Sequence, residues 1–427
     1  EEISVFGTDL LLGKLFDEIG FNKINDDLFR QLVIARLCFP VSKLKTTDYL
    51  SKYQFLDIDV QVIYRYLDKL YKSQKEIVQA ISYRHTLSIL DKKISIVFYD
   101  VTTIYFEAES EDDLRKAGFS KDGKHQHPQI VLGLLVSRGG YPLAYDIFKG
   151  NQFEGHTMLP VIDAFKQKYN LEKLIVVADA GLLSKENINL LEHEGYEYIL
   201  GARIKSANEA IKEKILSLTL RNGESKAIAL KGETKIIVSY SDARARKDSH
   251  NRERGIARLE KQIKSGKLTK ASINNRGYNK FLSIENEVKI SITQQKIEED
   301  KKWDGLKGYV TNTTLSNDEV IENYRDLWQI EKAFRVAKTD LEIRPIYHRV
   351  QRRIEAHICI CFVAFKIYKE LERQLKLKGS TLSPEQAIDI AKTIYAVKIV
   401  HPVTNQITHS TIIKSDEQKN LAKLFNF

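Results

Sequence analysis

The stretch "KKISIVFYDVTTIYFE", residues 92–107, is the starting point for interpreting the fold of the chain. Apolar side chains occupy both alternating sets of positions in its first half, which is typical of a strand buried on both faces near the centre of a sheet. This strand is predicted to end at a carboxylate, Asp100, which Val101 and two threonines follow. A single acid at a strand end is also common as a turn or capping residue. Whether Asp100 is a functional carboxylate or a turn residue depends on whether other carboxylates lie close to it in the fold.

The composition indicates a folded protein with a polyanionic partner. The chain has 427 residues and a hydrophobic content of 43%, so about two or three domains are expected. Its formal net charge of +10 and pI near 9.1 favour nucleic acid over a membrane as the partner. The apolar run around Cys359 and Cys361 is interrupted by Lys366 and is too short to span a bilayer. No membrane association is therefore expected, and the cysteines are expected to be buried thiols in a reducing compartment.

The hydrophobic periodicity divides the chain into four segments. Residues 7–90 show apolar spacings of three and four, which predict helices. After Lys93 the pattern changes to strands, with a hairpin turned at Gly139-Gly140 and then a strand–helix–strand unit, as expected for a mixed α/β sheet. The predicted segments are a helical N-terminal DNA-binding or accessory region (1–90), the first part of a core (91–205), a mostly β insertion with a basic segment (206–302), and the second part of the core with C-terminal helices (303–427).

A second acid follows another apolar strand. In "LIVVADAGLLSKENINLL", Asp179 comes directly after the predicted strand Leu174–Ala178, and a helix is predicted to begin near Ser184. Ligand sites in α/β sheets form at strand ends. Asp179 and Asp100 are therefore expected to face one cleft.

A third acid is predicted on a helix. In "IENYRDLWQIEKAFRVAKTDLEIRPIYHR", Tyr324, Glu331 and Lys338 recur every seven residues, which places them along one helical stripe. The alternative is an amphipathic helix with a surface ion pair between Glu331 and Arg335. Two strand-end aspartates and a helical glutamate suit hard divalent cations, so Mg²⁺ or Mn²⁺ is predicted, as two ions about 4 Å apart. Basic residues on the helix would hold backbone phosphates.

The three acidic motifs together resemble those of a known enzyme family. "YDVTTIYF", "VVADAGLLS" and "YRDLWQIEKAFRVAK" give the order Asp, Asp, Glu and resemble the DDE transposases of bacterial insertion sequences, in the IS-four branch marked by a Tyr-Arg-Glu-Lys signature. The resemblance runs from about Asp100 to Arg349 and includes "GFSKDGKHQHPQIVLGLLVSRGGYPLAYDIFKGN", between the first two acids. It implies an RNase H-like α/β catalytic core, interrupted by a mostly β insertion that residues 206–302 would supply.

The resemblance also implies individual roles. Asp100, Asp179 and Glu331 would be the catalytic residues and the metal ligands. Tyr324 and Lys338 match the signature Tyr and Lys, which contact DNA phosphates in the family.

The chain departs from the signature at one position. Leu327 stands where the family has Arg, and Arg325 or Arg335 would substitute for it in binding DNA. Trp303 lies in a region where some relatives stack an aromatic residue on a flipped base. The alternative for Trp303 is that it closes the core beneath the insertion.

Two further groups of residues are candidates for a functional role. Arg244 to Lys280 holds twelve basic and three acidic residues, so Arg244, Arg246 and Lys247 are predicted to contact DNA, with a solvated helical face as the alternative. The histidines of "GKHQHPQ" and His156 invite a metal site, but a His-x-His pattern without further ligands is a weak signal. Solvent or a loop near DNA is the favoured placement.

The activity implied is DNA transposition. Water activated by the metal ions would cut the DNA at the element end, and the freed 3′-OH would attack target DNA. The partners would be double-stranded DNA, as terminal inverted repeats and as target, bound by a homodimer on paired ends. The location would be the bacterial cytoplasm, at the nucleoid when DNA is bound. Two alternatives stay open: a nuclease of the same fold without strand transfer, and a non-catalytic DNA-binding protein derived from a transposase.

Overall fold

The chain forms two compact units. The computed structural model describes residues 2–70, 74–108, 110–120, 123–182, 184–266, 268, 272–274, 277–285, 289–344, 346–400 and 407–427. The first unit comprises Glu1–Val176 with Asp326–Phe427, and the second comprises Val177–Arg325. Both contain helices and strands, so the α/β prediction is confirmed. The division into four segments stays a prediction.

The first unit is built around its longest helix, Gln351–Leu377, here called the central helix. It packs against Asp27–Cys38, Val60–Leu70 and Gln74–Ile89. All residues from Ala356 to Leu371 are buried, and most of them are apolar, as expected for a helix at the centre of its unit. The other α-helices of this unit are Lys14–Ile19, Lys43–Gln54, Met158–Tyr169, Trp328–Thr339, Pro384–Ala391 and Asp416–Phe425.

The central helix also buries charge. Lys366 is fully buried, donates a hydrogen bond to Thr86 Oγ1 at 2.5 Å and lies over the Tyr141 ring. Burial lowers the pKa of Lys366 to about 7. Glu370, which is 1% exposed, accepts hydrogen bonds from Arg373 at 2.6 and 2.8 Å. These contacts place an ionic network inside the first unit.

The strand predicted from the opening stretch is longer than expected. It runs from Ile96 to Tyr105 and pairs antiparallel with Gln129–Ser137, which pairs in turn with Pro142–Lys149 across the predicted Gly-Gly hairpin. Asp100 therefore lies in the middle of the strand, opposite Leu134, and the prediction that it ends the strand is wrong. The residues that follow Asp100 are β-branched or aromatic, and Thr102 and Thr103 are buried, so pairing continues.

A second sheet of the first unit joins distant parts of the chain. Glu2–Val5 pairs antiparallel with Tyr395–Val400, which pairs with Ile407–Ile412. Within the described ranges, no helix has both the length and the apolar character needed to cross a membrane.

The second unit has an antiparallel sheet in the order Glu197–Ala202, Leu306–Thr311, Lys235–Tyr240 and Ser225–Ala229. The strand Ile175–Ala178 precedes it and contains the boundary between the units. As predicted, the next helix, Lys185–His193, begins after Ser184, whose side chain accepts a hydrogen bond from Asn187 N. The remaining α-helices of this unit are Glu209–Leu216, Asp242–Lys264, Gln294–Lys301 and Asn317–Arg325.

The description of residues 206–302 as mostly β is wrong for the described residues. Their longest element is the 23-residue helix Asp242–Lys264, here called the basic helix. Its Arg, Lys, Glu and Ala residues favour helix, and Ser241 caps its first turn. The antiparallel strands Leu282–Glu285 and Lys289–Ile292 pack near it, around a small core that includes Leu259 and Phe281.

The predicted stripe of Tyr324, Glu331 and Lys338 does not lie on one helix. Asn317–Arg325 ends at a turn formed by Asp326 and Leu327, and a new helix, Trp328–Thr339, carries Glu331 and Lys338. The seven-residue spacing therefore applies only to the last two. Since the unit boundary also falls at this turn, Tyr324 belongs to the second unit and Glu331 to the first.

Candidate functional site

Asp100 is held by the central part of its strand. Its side chain is half-buried, and Oδ1 accepts a hydrogen bond from Val101 N at 2.7 Å. The preceding residue, Tyr99, points to the other face, where it is fully buried and donates a hydrogen bond to Thr157 Oγ1 at 2.9 Å. Burial raises the pKa of Tyr99, so it remains a neutral structural group. This anchor fixes the orientation of the strand on which Asp100 sits.

Glu331 lies in the first turn of Trp328–Thr339, and that helix packs against the strand of Asp100. Ile330 and Phe334 are buried and attach the helix, whereas Glu331 and Arg335 are exposed. The helix therefore presents a carboxylate on its solvent-facing side. Lys338, near the end of the same helix, is half-buried.

Asp179 directly follows the strand Ile175–Ala178, as predicted. Its Oδ1 accepts hydrogen bonds from Gly181 N at 2.8 Å and Leu182 N at 3.2 Å. A Cβ at Gly181 would lie only 2.9 Å from that oxygen, so glycine permits this turn. The turn fixes the direction of the Asp179 side chain.

The donor chemistry of these three carboxylates fits Mg²⁺ or Mn²⁺, which prefer oxygen ligands. Among the residues that the structure describes, no three His, Cys, Asp or Glu side chains are grouped so as to hold a metal. His125, whose Nδ1 accepts a hydrogen bond from Ser120 N, is exposed, as is His156. The metal ligands of the chain therefore stay a prediction.

A cavity of about 480 Å³ in the second unit brings together several of the predicted DNA-binding residues. Tyr324, Trp303 and Arg244 line it, beside Ala180, the neighbour of Asp179. We call it the Tyr324 cavity. Its cationic residues are Arg203, Lys205, Arg244, Arg252, Lys280 and Lys307, and its acidic residues are Asp248, Asp300 and Asp304. This excess of cations favours an anionic ligand.

The aromatic residues of the Tyr324 cavity are held by close packing. Tyr324 meets Tyr309 edge to face with ring centroids 5.0 Å apart, and Lys307 Nζ lies 4.5 Å from the Tyr324 ring centroid. Trp303 is 9% exposed, so it is part of the core as well as of the cavity wall. Lys307 was not predicted from the sequence, although it lies two residues before Tyr309 on the same strand and its side chain therefore shares the same face.

Ion pairs hold other residues of the cavity wall. Arg252 is buried and binds both carboxylate oxygens of Asp304, with Nη1 to Oδ1 at 2.6 Å, and its pKa is raised by these bonds. Burial tends to raise the pKa of Asp300, but hydrogen bonds from Lys205 and Lys280 lower it overall. The acids of the cavity, including Asp248 beside Arg244, are thus engaged by protein cations, and the lining also contains Arg203 and Lys307.

The position of Tyr324 depends on Gly201. A Cβ at Gly201 would lie 2.3 Å from Tyr324 Oη and 3.0 Å from Ala180 N. We expect Gly201→Ala to destabilise the protein by about 1–3 kcal/mol through overpacking, and Tyr324→Phe in the same chain to recover part of that loss. Unfolding free energies of the two single variants and the double variant measure this coupling. Strict additivity would contradict the contact.

Most of the other predicted DNA-binding residues occupy exposed positions. Arg246 and Lys247 lie on the basic helix and Arg325 is the last residue of Asn317–Arg325. Trp328, one turn before Glu331, is 50% exposed. A large exposed aromatic beside an acid is a signal that only the structure reveals.

A family model described as transposase DDE domain matches residues 91–365, which include Asp100, Asp179 and Glu331. No curated protein matches the chain. Among solved structures, the chain is similar to piggyBac transposase in its cryo-EM synaptic complex with hairpin DNA, at 8% identity and a TM-score of 0.45, over 86% of this chain and 69% of that one. Since the matched domain covers more than half of its length, the chain belongs to the family of proteins with a transposase DDE domain.

Proposed function

We propose that this protein is an insertion-sequence transposase of the IS-four branch, which cuts DNA at the ends of its element and joins the freed 3′-OH to target DNA. The observation that carries the proposal is the DDE-domain match over residues 91–365, which contains all three acids in the order Asp, Asp, Glu. Proteins of this family generally use divalent metal ions. The RNase H-like core and the dimer on paired ends belong to the same proposal, as does a bacterial, nucleoid-associated location.

Each acid has a proposed role in the reaction. Asp100, Asp179 and Glu331 would hold Mg²⁺ or Mn²⁺, proposed as two ions, with Glu331 contributing from the exposed side of its helix. Such ions activate an attacking oxygen and stabilise the leaving oxygen of a phosphodiester. The Val101 and Gly181 amides, which bond to Asp100 and Asp179, hold these carboxylates in fixed orientations. No covalent intermediate with the protein is required.

DNA would be gripped by cations of both units, through contacts with phosphates. In the second unit the Tyr324 cavity supplies Lys307, Arg203 and Tyr324, with Trp303 in its wall as the proposed base-stacking aromatic. In the first unit Arg335 and Lys338 lie on the helix of Glu331. Contacts of this kind release counterions, so the logarithm of the binding constant is expected to fall linearly with the logarithm of the salt concentration.

A cleavage and joining assay tests the proposal. Labelled element-end DNA is incubated with the wild type and with Asp100→Asn and Asp179→Asn, in Mg²⁺ or Mn²⁺ and in EDTA. We expect a 3′-OH end and a joined product only with the wild type and metal, because an amide removes the charge that attracts the cation. Cleavage without joining would point to a nuclease. Binding without any cleavage by the wild type would point to a DNA-binding derivative.

A further inference from the structure

The first unit contains a basic cavity that the proposed catalytic function does not use. It has a volume of about 460 Å³ and is lined by Arg36 and by the residues that open the helix Lys43–Gln54. We call it the Arg36 pocket. Ser42 caps this 12-residue helix by accepting a hydrogen bond from Lys45 N. The positive end of the helix dipole therefore borders the pocket, which favours an anion there.

Two buried cations in the pocket wall have unused hydrogen-bonding capacity. Arg36 is 5% exposed; its Nη2 donates to Val41 O at 3.2 Å, but its buried Nε finds no acceptor within the described part of the chain. Lys43 is also 5% exposed, and no carboxylate pairs with it among the described residues. Burying unpaired charges is costly, and a ligand that accepts hydrogen bonds from both side chains would offset this cost.

The charge around the pocket is mostly positive. Lys45 and Arg344 add two cations to Arg36 and Lys43, and the only acid in the lining within the described residues is Glu342, whose side chain is exposed. Burial is the main cause that lowers the pKa of Lys43 to about 7, and the nearby charge of Arg36 is the second cause. A bound anion would offset both effects and keep Lys43 protonated.

We propose that the Arg36 pocket binds the phosphate group of a phosphate ester or of free phosphate. A helix N-terminus, an Arg and a Lys form a donor set that matches the oxygens and charge of phosphate. Tyr64 and Tyr347 also line the pocket, and Tyr347 is 70% exposed, so an aromatic surface stands beside the anion site for a nucleoside part. The inference rests on the first unit alone and stands even if the chain joins no DNA.

Thermal unfolding with and without phosphate tests the site. The full chain is titrated in EDTA with inorganic phosphate, with a 5′-mononucleotide and with double-stranded DNA, at ionic strength held constant with chloride. Lys43→Met is compared with Lys52→Met, an exposed position on the same helix that does not line the pocket. We expect Lys43→Met to unfold at a higher temperature than wild type without ligand, since it removes an unpaired buried charge. Its phosphate affinity should fall at least tenfold, while Lys52→Met behaves as wild type.

The ligand that stabilises the protein identifies the source of the phosphate group. Saturable stabilisation by inorganic phosphate or the mononucleotide, lost in Lys43→Met, supports a site for free phosphate or nucleotide. A response to double-stranded DNA alone, with the salt slope of binding reduced by about one in Lys43→Met, supports a backbone phosphate. Equal behaviour of Lys43→Met and Lys52→Met with all three ligands would overturn the proposal. Because EDTA prevents metal-dependent cleavage, these outcomes do not depend on whether the chain is a transposase.

Discussion

Glu331→Gln is expected to reduce metal-dependent DNA cleavage at least ~10³-fold while leaving folding and DNA binding nearly unchanged. The substitution keeps the size and polarity of the side chain but removes the negative charge that would help hold a divalent cation. Glu331 is exposed and its helix is attached through Ile330 and Phe334, so the fold does not depend on its carboxylate. The defect should therefore be chemical rather than structural.

The matched control for Glu331 is Glu322→Gln, at another exposed glutamate on the preceding helix. Initial cleavage rates on labelled element-end DNA are compared over a range of Mg²⁺ and Mn²⁺ concentrations, with DNA binding measured in EDTA. A loss confined to Glu331→Gln supports its role as a ligand. Cleavage by Glu331→Gln within a few-fold of wild type would remove Glu331 from the site, whatever the fate of the two aspartates.

Glu370→Gln is expected to lower the free energy of unfolding at pH 7 by about 3 kcal/mol. Glu370 is the buried acid of the ionic network on the central helix, where Arg373 and Gln374 donate to it and His85 lies 3.7 Å away. Glutamine removes the charged hydrogen-bond partner of Arg373 and the acid that acts on buried Lys366. The cost comes from the cations left behind, because the variant side chain has nearly the same volume.

The pH dependence of that loss provides a second measurement. Burial tends to raise the pKa of Glu370, but the bonds from Arg373 and Gln374 lower it overall. A carboxyl group with a lowered pKa contributes stability above its unfolded pKa of about 4.3 and loses it as the pH falls through the folded value. The difference in unfolding free energy between wild type and Glu370→Gln should therefore shrink below about pH 4.

Glu417→Gln, at an exposed position, is the control and should differ little from wild type at any pH. A constant gap would mean that the charge of Glu370 is not what stabilises the unit.

Local patterns in the sequence predicted the parts of the fold that depend on neighbouring residues. The strand before Asp179, the helix after Ser184 and the Gly139-Gly140 hairpin are set by alternation, capping and turn chemistry, and all three are found. The predicted position of Asp100 is wrong because a polar residue does not by itself end a strand. Only pairing with Gln129–Ser137 shows that the strand continues through two buried threonines.

Tertiary packing determines the features that the sequence did not predict. Trp328 and Ile330 have similar apolar character, yet one is exposed and the other buried, depending on what their helix packs against. The Tyr324 cavity combines residues from 180 to 324, and the Arg36 pocket combines residues from 36 to 357. Such groupings have no local periodicity. The break at Asp326 and Leu327 likewise interrupts a seven-residue spacing that continues in the sequence.

The make-up of the first unit has a consequence for synthesis on the ribosome. Residues 2–5 need the strand at 395–400, and the early helices need the central helix, so this unit cannot complete its packing until the late part of the chain has emerged. The second unit, Val177–Arg325, is translated in between and is continuous. At a translation rate of about 5–20 residues per second, the synthesis of its 149 residues takes roughly 7–30 s. During that time the early helices lack the central helix as their apolar partner. The second unit is therefore expected to fold first during translation, with the earlier segment the one most in need of chaperones.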